Sequence, residues 1–210
     1  MDIKVLIESL KTCRKIFVSE KDFQFALAWE IQKNMPQAEV RMEYCPADVD
    51  ESMHVDILVK DNGLWFPIEL KYMTLGCNVV VNEERYILKN QGAQDIRRYD
   101  FLKDIMRVEK LISSGGPFSK GFAVLLTNDP TYWKTSNASN TCDAAFRINE
   151  GAKISGVLNW DERTGIGTKK GREEPIVLNG SYDMYWHDFS FITDKRWGRF
   201  RYLSAEVLAR

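Results

Sequence analysis

Three charged side chains interrupt two apolar segments between Met53 and Thr74 that have the character of neighbouring strands. Asp56 lies in the first segment, and Glu69 and Lys71 lie two residues apart in the second. Residues two apart in a strand share a face, so Glu69 and Lys71 project together while Leu70 points the opposite way. Placing two carboxylates in apolar surroundings costs folding free energy, unless another group compensates the loss of their hydration. A divalent cation such as magnesium, which prefers oxygen ligands, would compensate it, with the lysine as a mobile positive charge beside the metal.

A solvated hairpin is the alternative interpretation of the same residues. Glu69 and Lys71 would then form an ion pair on one face, and Asp56 would begin a turn. The residues around them are too apolar for a fully exposed hairpin, which favours a positioned site.

A helix is predicted before these strands, from about Glu20 to Asn34, with Ser19 as its cap. Glu30 falls on the same helical stripe as Phe23 and Leu27, so its carboxylate points to the apolar side of the helix. Two explanations remain open. Glu30 either lies at the edge of the stripe and pairs with a surface lysine, or it lies beside the metal site.

Apolar periodicity predicts further elements on both sides of the two site strands. They are a short helix at Asp2–Lys11, a strand at Ala38–Tyr44, a long helix at Leu88–Ser113 and a buried strand at Lys120–Thr127. Residues 73–90 show no clean period apart from a short strand at Asn78–Val81. A strand meander followed by a helical crossover predicts an α/β fold, with a mixed central sheet flanked by helices.

The chain becomes richer in turns and aromatic residues beyond Pro130. Strands are predicted at 154–160, 176–178 and 200–208, with a long loop at 161–174. Internal repeats, low-complexity tracts and clear linkers are absent from the sequence. Residues 1–210 are therefore expected to form a single domain, with a core at about 20–128 and a β-rich carboxy-terminal elaboration at about 129–210.

The amino-acid composition limits the classes of protein to which this chain can belong. A hydrophobic content of 44% and a charged content of 28% are those of a soluble globular protein, and no stretch has membrane-spanning length. The amphipathic start at Met1–Leu10 lacks a long apolar core, so a cytoplasmic location is expected, and the widely spaced cysteines indicate reduced, unpaired thiols. Two histidines leave little for a histidine metal cluster. A net charge of −1 argues against a strongly basic surface, although a local groove with a metal remains compatible with phosphate binding.

The pattern of Asp56 followed by Glu69-Leu70-Lys71 resembles the PD-(D/E)XK nuclease superfamily, the restriction-endonuclease-like proteins. The resemblance covers about residues 22–127, and the predicted elements follow the family's order α-β-β-β-α-β. The bare pattern is weak because charged residues are common. The resemblance is supported by the position of this pattern in two apolar strands with the expected flanking helices. Val55 occupies the position at which the family nominally has proline.

The resemblance implies roles for the matching residues. Asp56 and Glu69 would bind magnesium, for which manganese can substitute, together with the backbone carbonyl of Leu70. Lys71 would orient or activate the attacking water and stabilise charge that develops on the phosphate. Glu30 would correspond to the helix carboxylate that some members use as an additional ligand or base.

A supporting glutamine is also implied, because a subset of the family carries one on the helix after the site strands. Gln91 is the first candidate for this position and Gln94 the second. Their spacing to Tyr99 does not reproduce the pattern of that subset.

The function implied by the resemblance is a magnesium-dependent endonuclease that hydrolyses phosphodiester bonds, with DNA as the expected substrate. A homodimer is expected of an enzyme that cuts both strands. The alternative is a catalytically inactive nucleic-acid-binding or regulatory module of a restriction or defence assembly. A nucleotide or small-phosphoester hydrolase would need the same metal site within a closed pocket.

Overall fold

The computed structural model describes residues 1–136 and 140–209, which include a six-stranded mixed sheet with helices on both faces. Residues 137–139 and 210, which belong to the predicted carboxy-terminal elaboration, lie outside the described residues. The helices are α1 (Ile3–Cys13), α2 (Glu20–Asn34), α3 (Gln94–Ser113) and α4 (Ile166–Lys169). The strands are β1 (Glu39–Tyr44), β2 (Val55–Asp61), β3 (Leu64–Met73), β4 (Cys77–Val81), β5 (Glu84–Leu88), β6 (Lys120–Thr127), β7 (Lys153–Leu158), β8 (Ile176–Asp183), β9 (Trp186–Phe191) and β10 (Arg199–Leu208). A short 3-10 helix spans Ala144–Phe146.

The central sheet has the strand order β1-β2-β3-β6-β10-β9. Strands β3 and β6 are parallel, and the other neighbours in this sheet are antiparallel. The prediction of an α/β fold with a mixed central sheet and flanking helices is thereby confirmed. Strands β9 and β10 extend this sheet, so the carboxy-terminal part of the chain contributes directly to it.

Strand β3 divides the core because its side chains alternate between the two faces of the sheet. Leu70 and Tyr72 pack into the cluster formed with α1 and α2. Met73, two residues after Lys71, packs into the cluster formed with α3. The odd-numbered residues of this part of β3, which include Glu69 and Lys71, therefore face α3.

Helix α2 has the predicted bounds. The side chain of Ser19 accepts a hydrogen bond from the Asp22 amide, and the helix ends before Met35 and Pro36. Both ends are set by local signals, which explains why they can be located from sequence.

The predicted start of the long helix at Leu88 is wrong, since α3 begins at Gln94. Leu88 instead ends the hairpin of β4 and β5, which lies between β3 and α3. The hairpin turns at Asn82 and Glu83, which have φ of 50° and 67°. Two consecutive residues of positive φ are typical of a tight hairpin turn that matches the twist of its strands.

Strand bounds beyond Pro130 also differ from those predicted. Strand β7 ends at Leu158 instead of Trp160, and β8 continues from Ile176 to Asp183. The predicted loop at 161–174 contains α4. Among the described residues, none of the helices combines the length and apolar character needed to cross a bilayer.

Candidate active site

The candidate site lies where β2 and β3 separate. Pairing between the two strands extends along β3 only as far as Ile68. Beyond that point two carboxylates bind the exposed backbone edge of β3. Asp56 Oδ2 accepts a hydrogen bond from the Leu70 amide at 2.7 Å, and Glu20 Oε2 accepts one from the Tyr72 amide at 2.9 Å. The strand edge is thus held by acidic side chains at the position where pairing to β2 has stopped.

Glu69 is buried beneath this edge, with 2% of its surface exposed. Its Oε1 lies 3.1 Å from Arg107 Nη2 in an ion pair that is not a hydrogen bond, and the described residues offer this atom no hydrogen-bond partner. Burial, reinforced by the charges of Asp104 and Asp56, raises the pKa of Glu69 well above its usual range, while Arg107 opposes the shift. Glu69 is therefore a poorly compensated buried carboxylate.

Lys71 is directed toward α3. Its Nζ lies 2.7 Å from Asp104 Oδ2 and donates a hydrogen bond to the Leu70 carbonyl at 3.2 Å. Burial disfavours the ammonium form, but the attraction of Asp104 outweighs it, and the pKa of Lys71 is raised above its usual value. Lys71 is therefore positively charged in this arrangement.

Asp104 and Arg107 on α3 complete the cluster, and sequence reasoning missed both. Asp104 is buried, which raises its pKa to about 6 although Lys71 and Arg107 act in the opposite direction. Arg107 Nη1 lies 3.4 Å from Asp104 Oδ1, and its Nη2 donates to the His54 carbonyl at 2.6 Å. The three carboxylates of Asp56, Glu69 and Asp104 thus outnumber the two neighbouring cations, Lys71 and Arg107.

A signal for Asp104 was present in the sequence. Asp104 falls on one helical stripe with Phe101, Val108 and Leu111, all of which are buried. A carboxylate on such a stripe needs a compensating partner, as was argued for Glu30.

Glu30 is not brought to this cluster. Its Oε1 accepts hydrogen bonds from Ser9 Oγ at 2.6 Å and Asn34 Nδ2 at 3.0 Å, and its Oε2 lies 2.9 Å from Lys33 Nζ. The hydrogen bond from Ser9 is the largest of the contacts that lower the pKa of Glu30. Helix α2 covers the face of β3 opposite to Glu69, so this carboxylate joins α2 to α1. Pairing with a lysine is the alternative that the structure supports.

Residues in the first turns of α2, and not Glu30, lie near the site. Gln24 is buried, and its Nε2 donates to the Asp56 carbonyl at 2.6 Å and to Glu43 Oε1 at 2.8 Å. Glu43 has a φ of 52°, a conformation that costs a residue other than glycine about 1–3 kcal/mol. The ladder of β1 and β2 pairs Met42 and Tyr44 but omits the pair of Glu43 with Asp56. Gln24 therefore holds the irregular backbone from which Asp56 projects.

The two candidate glutamines serve other parts of the fold. Gln91 Oε1 accepts a hydrogen bond from the Thr74 amide at 3.1 Å, which fixes the segment after β3. Gln94 Nε2 donates to Asp129 Oδ2 at 3.0 Å, which fixes the segment after β6. The structure does not bring either side chain to the carboxylate cluster.

A cleft of about 860 Å³ opens above the site. Its lining includes five basic side chains and three aspartates, and four of the basic side chains are ion-paired with carboxylates of the chain. The basic residues are Lys71, Lys103, Arg107, Lys110 and Arg172.

The oxygens at the strand edge are of the chemical kind that a hard divalent cation prefers. Glu69 offers an oxygen without a hydrogen bond, Asp56 lies on the neighbouring strand, and the Leu70 carbonyl faces the same edge. Two carboxylates and a carbonyl, completed by water, suit magnesium. Within residues 1–136 and 140–209, three or more His, Cys, Asp or Glu side chains are nowhere grouped to hold a metal by themselves. The backbone oxygen and water would therefore have to contribute.

Comparisons with known proteins return no match. No protein-family model matches the sequence, no curated protein matches it, and no solved structure matches the fold. The chemistry of the site is therefore what indicates a function.

Proposed function

We propose that this protein is a magnesium-dependent endonuclease that hydrolyses phosphodiester bonds, with DNA as its first candidate substrate. The observation that carries the proposal is the convergence of Asp56, Glu69 and Lys71 at the open edge of β3. A buried carboxylate of raised pKa beside a cleft is typical of functional sites, because it costs stability without benefit to the fold.

The element order supports a restriction-endonuclease-like core. Helix α2, strands β1 to β3, helix α3 and strand β6 follow the order expected of that core, with Asp56 on its second strand and Glu69 and Lys71 on its third. The β4–β5 hairpin would then be an insertion, and β10 and β9 would extend the core sheet.

The mechanism assigns separate tasks to the residues of the cluster. Asp56, Glu69 and the Leu70 carbonyl would hold the magnesium, which supplies Lewis-acid activation of water and phosphate when bound. Lys71 is better suited to stabilise negative charge on the phosphate than to accept a proton, because its raised pKa keeps it protonated. Arg107, which now compensates Glu69, would also be available to the phosphate once Glu69 is otherwise neutralised.

Cleavage assays test the proposal directly. The purified protein is incubated with circular and linear DNA and with RNA, in magnesium or manganese. Asp56→Ala and Lys71→Ala are expected to abolish cleavage. Glu30→Gln is the matched control and should retain it, because Glu30 contacts α1. Cleavage that persists in the Asp56 or Lys71 variant would reject the assignment.

A catalytically inactive binding or regulatory module is favoured by one observation. Lys71 pairs with Asp104, and Arg107 lies beside Glu69, so both cations of the cluster already have carboxylate partners within the chain. Calorimetry with magnesium discriminates between the two functions. Absence of metal binding, together with retained binding to nucleic acid or to a copurifying partner, would favour the module.

Location and assembly follow from the proposed activity. The four cysteines are free thiols in the structure, which supports action in the reducing cytoplasm. Cutting both strands of a duplex supports a two-fold homodimer. A strictly monomeric mass in light scattering, measured with and without DNA, would argue against that assembly.

A further inference from the structure

A second cavity, of about 600 Å³, has aromatic walls. Tyr44, Trp65 and Phe118 line it, and the backbone of Gly115 and Gly116 borders it. The ring centroids of Tyr44 and Trp65 are 5.8 Å apart, and those of Trp65 and Phe118 are 5.5 Å apart, both pairs nearly perpendicular. The cavity is within the size range of small-molecule sites.

Trp65 is held firmly in this wall. Its amide donates to the Pro117 carbonyl at 2.8 Å, and its carbonyl accepts from the Ser119 amide at 3.1 Å. The ring is thus presented by a strand whose position is fixed on both sides. A fixed aromatic surface costs little entropy when a planar ligand stacks on it.

The cavity lies on the catalytic face of β3. Trp65 and Glu69 are four residues apart and therefore on the same face, separated by about 13 Å at about 3.3 Å per residue. Lys110 on α3 lines both this cavity and the cleft above the candidate site. The two spaces are therefore neighbours along one surface.

Two lysines lie at the aromatic wall or at its edge, and Asp48 also lines the cavity. Lys60 Nζ lies 4.0 Å from the centre of the Trp65 ring and 5.6 Å from that of Tyr44. Lys110 Nζ lies 2.7 Å from Asp50 Oδ2, at the boundary between the cavities. Aromatic surfaces combined with cations are the elements by which proteins bind single-stranded nucleic acid.

We propose that the Tyr44–Trp65–Phe118 cavity binds an unpaired nucleobase of a strand whose phosphate enters the cleft lined by Lys71 and Arg107. The placement of the phosphate rests on the proposed nuclease function. The distance of about 13 Å corresponds to at most about four stacked nucleotides, at about 3.4 Å each. A base within a duplex cannot enter such a recess without being unstacked, so single-stranded, frayed or flapped ends are the favoured substrates.

The test uses the whole chain of 210 residues without divalent metal, so that binding is measured apart from cleavage. Single-stranded DNA and RNA oligonucleotides carrying 2-aminopurine are titrated against the protein, with matched duplexes alongside. Trp65→Ala is expected to weaken single-strand binding on the order of tenfold and to reduce the change in 2-aminopurine emission. Trp65→Phe should keep most of both signals.

Trp29→Ala is the matched control, because Trp29 is exposed on α2, which covers the opposite face of the sheet. It should bind as the unmodified protein does. If Trp65→Ala does not fold, Tyr44→Leu provides the second variant and should lower affinity in the same direction. Unchanged single-strand affinity in the folded wall variant, or equal affinity for the duplex, overturns the inference.

The outcomes separate this inference from the nuclease proposal. Trp65-dependent binding without any cleavage would reject the nuclease and retain the base-binding cavity. Cleavage that depends on Lys71, with single-strand binding indifferent to Trp65, would retain the nuclease and reject the cavity. Comparison of the DNA and RNA titrations identifies the sugar that the strand carries.

Discussion

Lys71 Nζ and Asp104 Oδ2 lie 2.7 Å apart, and this ion pair joins the candidate site on β3 to helix α3. Both side chains are largely removed from solvent, with exposures of 19% and 6%. The pair sets where the lysine ammonium lies before any substrate arrives. It therefore links the stability of the fold to the geometry of the site.

Breaking this pair from one side is expected to destabilise the protein. Lys71→Met leaves Asp104 buried without its main cation and should cost about 3 kcal/mol in the free energy of unfolding. Adding Asp104→Leu should recover most of that loss, because an apolar pair can replace a buried ion pair. Urea denaturation of the single and double variants measures both changes. Additive losses in the double variant would contradict the coupling.

Asp104→Asn should affect catalysis by a separate route. The ammonium of Lys71 loses the carboxylate that positions it, so kcat should fall about 10–100-fold while KM changes little. Asp104→Glu should restore part of the rate, which a merely structural contribution of Asp104 would not predict. Steady-state cleavage kinetics, with circular dichroism to verify folding, give both values.

Glu69→Gln should stabilise the metal-free protein, by an amount that grows with pH. The folded state raises the pKa of Glu69, so it retains a proton that the unfolded chain releases above about pH 4.3. The unmodified protein therefore loses stability as pH rises toward the folded pKa, and a glutamine at this position does not titrate. Denaturation midpoints at about pH 5 and about pH 8 measure the effect. An equal difference at both pH values would show that burial does not shift this carboxyl.

Magnesium should raise the melting temperature of the unmodified protein but not that of Glu69→Gln or Asp56→Asn. A ligand present at about 100 times its Kd adds about 2.7 kcal/mol to stability, and a chelator should reverse the gain. Differential scanning calorimetry with magnesium, manganese and chelator measures the shift. A shift of the same size in all three proteins would place the cation elsewhere.

Two glutamates on α2 should behave differently when each is replaced by alanine. Glu20→Ala removes the carboxylate that binds the Tyr72 amide beside Lys71, so cleavage should fall, and the unpaired amide should lower stability by about 1–3 kcal/mol. Glu30→Ala removes the hydrogen bonds that join α2 to α1, so stability should fall by about 1–3 kcal/mol while cleavage remains. Parallel rate and denaturation measurements check the contrast. The reverse outcome would restore Glu30 as the site carboxylate.

Local patterns account for what could be predicted of the site strands. Asp56, Glu69 and Lys71 were identified because charges stand out in apolar strands and because the side chains of a strand alternate. The bounds of α2 followed from its cap and from Pro36. The start of α3 was missed because Leu88 continues a helical spacing in sequence but closes a hairpin in the fold.

The sequence by itself determined which charged residues share a strand face, since that depends only on the backbone period of two. Only the tertiary structure decided that α3, and not the middle of α2, covers that face. This is why Asp104 and Arg107 reach Lys71 and Glu69 while Glu30 joins α1. The physical reason is that partners across a sheet are selected by long-range packing, for which a residue's own neighbours in sequence carry little information.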